Sequence, residues 1–299
     1  MKNKITIGFI GQGYVGKNYA DDFEKRGFRV TRYALENGYS GNRDKIKDCD
    51  VVFIAVPTPT TPKGFSYSII ESVLKLIGKG KIAVIKSTIL PGVTEILQKK
   101  FSKIIILNSP EFLSEKTAAH DAANPFSNIV GIPINSEKCQ KAAKLVHEIL
   151  PKSPFSLTCK SKEAELIKYA HNGSGYTQII FFNTMYDLAR TLKVDWQPIE
   201  NAILADPMIC NRYAKPLHKS GRGAGGNCFI KDFAALSRLY KKMTKDALGS
   251  AVLSAQEAKN IDLLTKSKKD LLILHGVYGD LPALPRRQAG GKAGKTKSK

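Results

Sequence analysis

Three groups of residues in this 299-residue chain have the types and spacings that chemistry needs. The first is Gly11, Gly13 and Gly16 in GQGYVG, which closes an apolar run and precedes a stretch, Lys17 to Arg26, that can form a helix. In a strand, glycine turn and helix unit, the first glycine makes the turn, the second lets the backbone approach a pyrophosphate, and the third packs helix on strand. The helix N-terminus then turns unpaired N–H groups and a positive dipole end toward the phosphates. A dinucleotide site is therefore expected, with a plain structural turn as the alternative. The second group is Lys168 and Asn172, four apart in a proline-free stretch, so that both side chains leave one helix face and reach a single oxygen. Lying between Ile167 and Tyr169, Lys168 fits a solvated helix face poorly. The third is Cys228, which follows Gly225 and Gly226 and precedes the pair Lys231 and Asp232. A helix beginning near Lys231 is expected to lower the thiol pKa through its positive end. Without those neighbours a lone cysteine is a small buried hydrophobe.

The elements that must position these groups change character along the chain. From 5 to 159, short β-branched runs alternate with helical stretches, the pattern of a mostly parallel sheet with helices on both faces. Candidate strands are Ile5 to Gly11, Arg29 to Tyr33, Val51 to Val56, Ile82 to Ser87, Ile104 to Leu107, Ile129 to Ile132 and Phe155 to Thr158. The second strand of such a unit should end in an acid for the ribose 2′-hydroxyl. That place holds Ala34, with Arg32 before it and Glu36 after it. Glu36 would serve NAD and Arg32 a 2′-phosphate of NADP, so both cofactors stay open; both residues are otherwise solvated turn residues.

From Ser161 onward the pattern is helical. Glu163 to Lys193 reads as one long helix, with Ile167, Ala170, Ser174, Ile180 and Thr184 at helix-like spacings. Further helices are expected near 197–205, 232–244 and 249–264, interrupted by a glycine-rich loop at 221–226. The expected class is α/β, an N-terminal Rossmann doubly wound parallel sheet at 1–160 followed by an all-helical central domain at 161–265. Residues 266–299 are expected to give one short helix and a basic disordered tail.

Composition narrows the function classes. No run approaches the roughly 18 to 20 apolar residues of a membrane span, and the start MKNKITIGFIGQGYVG reads as strand and turn, so a cytoplasmic protein is expected. Five cysteines at 49, 139, 159, 210 and 228 form no CxxC pair, which points to neither a disulfide framework nor a metal site. The formal charge of +21 invites a nucleic-acid partner, but Arg286 to Lys299 alone supply +6, leaving +15 for residues 1–285. Such a field also steers an anionic cofactor and substrate, and no zinc-finger or aromatic RNA-binding motif is present.

Motifs further along carry a specific resemblance. VPTP at 56–59, KSTILPGVTE at 86–95, SPEFLSEKTAAHDAANPFSNIVG at 109–131, EAELIKYAHN at 163–172 and GAGGNCFIKDFAAL at 223–236 stand in the order found in UDP-glucose and GDP-mannose dehydrogenases. They resemble that family's VPTP, STVPPGTTE, NPEFLREG, EAEliKyaxN and GFGGSCFPKD signatures, and with the glycine turn they cover about residues 5 to 264. The resemblance implies oxidation of a nucleotide-sugar primary alcohol to a carboxylate by two hydride transfers to NAD. Cys228 matches the family's nucleophile, and a thiol that adds to an aldehyde and ends as a thioester is sound chemistry for that step. Lys168 and Asn172 match residues that stabilise the oxyanion and position water, with Asp232 in the acid/base network and Thr88 and Glu111 holding water or alcohol.

The resemblance further implies cofactor contacts from Gly11, Gly13, Tyr14, Val15, Gly16, Glu36, Pro57, Thr58, Thr88 and Lys231. Substrate contacts would come from Glu111, Phe112, Leu113, Glu115, Lys168, Asn172, Arg222 and Gly225. Glu115 and Lys231 are equally explained by a salt bridge or helix cap. His171 matches no functional position, and Cys159 and Cys210 are expected to pack. A homodimer through the 161–193 helix is implied as well.

Two features depart from the family. Its members carry a second Rossmann-like domain after the helical centre, whereas only about 35 residues follow Leu264 here, which is expected to leave a shortened form. The stretch NRYAKPLHKSGRGAGG is longer and more basic than usual, so Lys215, Lys219 or Arg222 is a candidate for substrate phosphate, unless the loop is simply exposed. A smaller phosphorylated sugar as substrate, or a non-catalytic NAD-binding scaffold, are the rival expectations.

Overall fold

A computed structural model describes residues 5–36, 38–219 and 221–280. The expected basic tail from Arg286 to Lys299 lies outside these residues. The N-terminal half runs β1 (Thr6–Ile10), α1 (Tyr14–Lys25), β2 (Arg29–Tyr33), β3 (Val51–Ile54), a small hairpin of β4 (Thr60–Thr61) and β5 (Gly64–Phe65), α2 (Ser68–Leu74) and β6 (Ile82–Ile85). It continues with α3 (Val93–Lys100), β7 (Ile105–Asn108), α4 (Ala118–Ala123), β8 (Ser127–Ile132), α5 (Glu137–Ile149) and β9 (Phe155–Lys160). Seven strands form one sheet in the order β2-β1-β3-β6-β7-β8-β9. Its pairs are parallel except β7 with β8.

VVFI, IAVI and IILN in β3, β6 and β7 are buried throughout, as strands must be when helices cover both faces. Alternation sends Phe9, Phe53, Val84 and Leu107 toward α1 and α5, and Ile10, Ile54, Ala83, Ile85 and Ile106 toward α2 and α3. Phe9 stacks on Phe53 at 5.0 Å between centroids, and Phe23 of α1 meets Phe9 edge-on at 5.4 Å. The chain leaves β1 to one side for β2 and returns to the other for β3. The crevice beyond the carboxyl ends of the strands therefore lies at that switch, where an open α/β sheet places ligands.

No linker separates sheet from helices. β9 ends at Lys160 and α6 (Ser161–Leu192) starts at the next residue, with Glu163 Oε2 accepting the Lys160 N–H at 2.8 Å. At about 1.5 Å per residue, its 32 residues make a rod about 48 Å long. The long helix is present, and of the residues at helix-like spacings Ile180 points inward with Ala164, Lys168, Tyr169, Asn172 and Tyr176, while Ala170 and Ser174 are exposed. A helix apolar on several sides leaves the choice to its partner, and here the partner is α8, whose Phe233 stacks on Tyr176 at 3.8 Å.

After α6 come α7 (Trp196–Ala205), a second small hairpin of β10 (Leu217–His218) and β11 (Gly221–Arg222), α8 (Gly226–Met243), α9 (Ala247–Ser267) and α10 (Leu271–Tyr278). Ile230 and Ala234 of α8, Ile261 and Leu264 of α9, and Leu274 and Val277 of α10 form their shared core. The helical half leans on the sheet half through Arg238, which donates to the Thr61 carbonyl at 2.6 Å and to the Val277 carbonyl at 3.1 Å. Among the described residues no helix is long and apolar enough to cross a membrane.

Candidate active site

The glycine turn is built for a close approach. Gly11 has φ 89°, and a Cβ on Gly16 would lie 1.9 Å from the Gly11 carbonyl oxygen, so helix α1 can sit on the turn only without that side chain. Gly13 is the N-cap of α1 and supplies no side-chain cap, which leaves first-turn N–H groups, those of Tyr14 and Val15 among them, for an anionic ligand. This cradle fits a dinucleotide pyrophosphate. Across the crevice, Thr58 donates its hydroxyl to the Thr88 carbonyl at 2.8 Å, and Ser87 donates to the Val56 carbonyl at 2.7 Å, bracing the loops after β3 and β6. Pro57 is exposed on the same rim, and Glu36 is exposed just past the end of β2.

Arg32 is not available to a 2′-phosphate. Its guanidinium donates to Glu24 at 2.6 and 3.0 Å, pairs with Asp21 at 2.7 Å and reaches Gln12 at 3.4 Å. Two carboxylates already compensate the charge that such a phosphate would need.

The remaining groups meet where α6 and α8 face the loop after β7. Lys168 Nζ donates to the Glu111 carbonyl at 2.7 Å and pairs with its carboxylate at 3.0 Å, both side chains being only 6% exposed. Asn172 Nδ2 donates to Asp232 at 2.7 Å, and Lys231 Nζ donates to the other oxygen of Asp232 at 2.5 Å. Cys228 stands in the first turn of α8, with its sulfur 3.9 Å from the Tyr14 hydroxyl at the head of α1. Cofactor turn and cysteine thus touch across the seam between the halves. Burial opposes the Lys168 charge, but Glu111, Asp232 and Cys228 outweigh it and raise its pKa, so it stays an ammonium.

Two expectations about the cysteine are overturned. Helix α8 begins at Gly226 rather than near Lys231, so Cys228 lies inside the helix. Its thiol is pushed up, not down: burial acts first and Asp232 and Glu111 add to it, against Lys231 and Lys168. The resting group is therefore a protonated thiol.

Some other expected contacts are already engaged within the protein. Arg222 binds Asn183 at 2.8 Å and Asp187 at 2.6 Å on the far part of α6, away from Lys168 and Asn172. Lys219 pairs with Glu115 at 2.9 Å and Lys215 with Glu200 at 3.6 Å, so each of the three cations proposed for a phosphate already holds a protein carboxylate. Lys231 is bound to Asp232, and Gly225 packs against Asp270. Phe112 lies beside Lys168, 5.4 Å from its ammonium, while Leu113 packs against the core and donates its N–H to Glu111 at 2.8 Å. His171 is half-buried against Phe112 and Phe126, and burial with Lys168 and Arg212 holds it down to about 4, a neutral ring.

Glu165 and Lys86 are among the buried charges that the sequence did not single out. Glu165 accepts the Thr94 N–H at 2.9 Å, the Thr94 hydroxyl at 2.6 Å and the Gly92 N–H at 2.5 Å, tying α6 to the start of α3. Lys86, directly after the buried run IAVI, donates to the Ser109 hydroxyl at 3.1 Å and lies 4.5 Å over the Tyr19 ring. Burial brings it down to about 7, with Glu111 opposing and Lys168 adding. A charge ending a strand covered on both faces was the available signal. Because the folded chain releases this proton at about 7 and the unfolded chain at 10.5, the native state binds fewer protons between them, and stability is expected to rise with pH across that window. Urea midpoints at pH 6.5 and 9.5 should show this rise in the wild type and a smaller one in Lys86→Met; equal rises would refute it.

A glycine-turn sheet half, a helical half and polar groups on their seam define an α/β protein of Rossmann type followed by a helical region. The NAD binding domain model of the UDP-glucose/GDP-mannose dehydrogenase family matches residues 34–150, and that family's central domain model matches 162–260. The chain belongs to the UDP-glucose/GDP-mannose dehydrogenase family, and NAD is its cofactor. It is 29% identical over 236 residues to UDP-glucose 6-dehydrogenase of Rickettsia typhi, covering 76% of this chain and 52% of that one. Against UDP-glucose 6-dehydrogenase TuaD of Bacillus subtilis it is 29% identical over 237 residues, covering 74% and 49%. A solved UDP-glucose dehydrogenase from Pyrobaculum islandicum is similar with TM-score 0.74 and 25% identity, over 87% of this chain and 69% of that one. The chain spans about half the length of the curated relatives it matches.

Proposed function

We propose that the protein oxidises the primary alcohol of a nucleotide sugar to a carboxylate in two steps at Cys228. The convergence of Lys168, Asn172, Asp232 and Cys228 beside the glycine turn supports this most directly. NAD, when bound, supplies the hydride acceptor. The turn at Gly11 to Gly16 and the rim at Thr58 and Thr88 would hold it, and Cys228 would stand beside the substrate carbon. The Lys168 ammonium lowers the energy of an alkoxide oxygen, and Asp232, coupled through Asn172 and Lys231, takes and returns protons. After the first oxidation the Cys228 sulfur bonds to the aldehyde carbon, its proton passing to a base, and gives a thiohemiacetal. A second loss of hydride and proton leaves a thioester. Water then adds to its carbonyl, the C–S bond breaks, and carboxylate and thiol are released. The substrate contacts assigned to Glu111, Phe112 and Leu113 belong to the same proposal.

The test is absorbance at 340 nm with NAD and a panel of nucleotide sugars and sugar phosphates. Two NADH per sugar is expected; binding of NAD with no turnover on any sugar would favour the non-catalytic alternative. Because Arg32 is already paired, NADP is expected to bind at least about tenfold more weakly than NAD, or about 1.4 kcal/mol. In a fluorescence titration, Asp21→Ala/Glu24→Ala should narrow that gap. A gap unchanged by freeing Arg32 would remove its cause.

We also propose a homodimer through α6, whose Leu166, Phe181, Leu188 and Leu192 are exposed. Sedimentation should give a dimer for the wild type and a monomer for Phe181→Asp; a monomeric wild type would refute it.

A further inference from the structure

Residues 222–226, which lead the chain into Cys228, have five backbone groups bound by side chains from α9 and the turn after it. The Arg222 N–H donates to the Ser267 hydroxyl at 3.0 Å, and Lys269 Nζ donates to the Gly223 carbonyl at 3.0 Å. Asn260 accepts the Ala224 N–H at 2.7 Å and donates to the Ala224 carbonyl at 3.0 Å. The Gly226 N–H donates to the Asp270 carboxylate at 2.7 Å. Nothing in the reaction proposed above uses Lys269 or Asp270.

Their backbone is unusual. Lys268 and Asp270 both have φ 53°, a left-handed conformation that side chains other than glycine avoid and that surrounding structure must over-determine. Asp270 is the N-cap of α10, yet its carboxylate makes no bond to its own helix; it binds the first N–H of α8 instead. The fit is tight from the other side too. A Cβ on Gly225 would lie 2.1 Å from the Asp270 carboxylate oxygen and 2.8 Å from Lys269 Cε. The glycine at 225 therefore makes room for this turn.

We infer that the 268–270 turn is the positioning element for Cys228, with Asp270 and Lys269 holding the glycine loop so that the sulfur is kept half-buried beside Tyr14. Both act through the loop and touch no reacting atom. Gly226 is the first residue of α8 and Cys228 the third, so loss of the Asp270 bond frees the turn that carries the sulfur. Burial is the first cause of the raised thiol pKa, so a freed turn brings the thiol down toward its ordinary value.

The experiment is iodoacetamide labelling of the full chain from pH 7 to 10. Cys228 is quantified by peptide mass against Cys210, which is exposed and serves as internal reference. It requires no sugar, so it stands or falls independently of the reaction assigned to Cys228, although the inference gains its meaning from that reaction. Asp270→Gly removes the carboxylate while suiting the left-handed backbone, and so keeps the fold; Lys269→Met removes the other bond and keeps the stem. Each is expected to lower the midpoint of the Cys228 pH profile by about half a unit, and so raise its labelling relative to Cys210 about threefold below the midpoint, with NAD affinity unchanged. Asp270→Asn keeps an acceptor for Gly226 and should label like the wild type. Unchanged labelling and midpoint in Asp270→Gly and Lys269→Met, or an Asp270→Asn variant that labels like Asp270→Gly, overturns the inference.

Discussion

Cys228→Ser is expected to lower NADH formation on the responsive sugar by about 10³-fold or more while NAD binding stays within about twofold. The hydroxyl has nearly the shape of the thiol, so the loop and the first turn of α8 persist. What is lost is the nucleophile: with burial already holding even the thiol above its ordinary pKa, a serine hydroxyl in the same place is far harder to deprotonate. Steady-state turnover together with a count of NADH per sugar measures this. Retained two-NADH stoichiometry at wild-type rate would show that the second oxidation proceeds without a bond to residue 228.

Lys168→Met is expected to cost about 3 to 5 kcal/mol of stability besides abolishing turnover, because it leaves the buried Glu111 carboxylate without its cation. The pair spans the seam, Lys168 on α6 and Glu111 after β7, so the loss also loosens one half from the other. Urea unfolding of Lys168→Met, Glu111→Gln and the double variant forms a closed cycle. The double variant should recover most of the stability lost in Lys168→Met, since removing both charges leaves none uncompensated. Equal destabilisation in the single and double variants would mean that the pair's charge is not what α6 contributes there.

Much of the sheet was legible because its signal is local. β-branched runs bounded by turn residues announce β1, β3 and β6, and the spacing in GQGYVG announces the turn that follows β1. The reversal at β8 was not, since nothing in SNIVGI tells strand direction; that is set by how α4 lets the chain return. The start of α8 was misplaced for a related reason. Gly225 and Gly226 read as a loop, but the Asp270 carboxylate caps the helix from 44 residues away, allowing it to begin at a glycine.

Charged side chains misled most. Lys86, Glu165 and Lys269 carry charges that a sequence assigns to solvent, yet all three are buried. Arg32, Lys215, Lys219 and Arg222 suggested phosphates because a guanidinium or ammonium suits a phosphate and a carboxylate alike; only the fold shows which is nearby. Lys168, Asn172, Asp232 and Cys228 were singled out by motif, and the structure brings them together through packing of α6 on α8 that no spacing within either helix contains.

The absence of a linker at Lys160 and Ser161 has a mechanical consequence. With β9 passing straight into a rod of 32 residues, the halves cannot swing apart on a flexible tether; widening the cleft must flex the rod itself. Bending is expected to be easiest at Gly173-Ser174-Gly175, where two glycines lower helix propensity just beyond Asn172. Flexing there would carry Lys168 with the sheet and leave the Tyr176–Phe233 stack with α8, so any widening of the seam also has to stretch the Asn172–Asp232 bond and the Arg238–Thr61 contact that join the same halves.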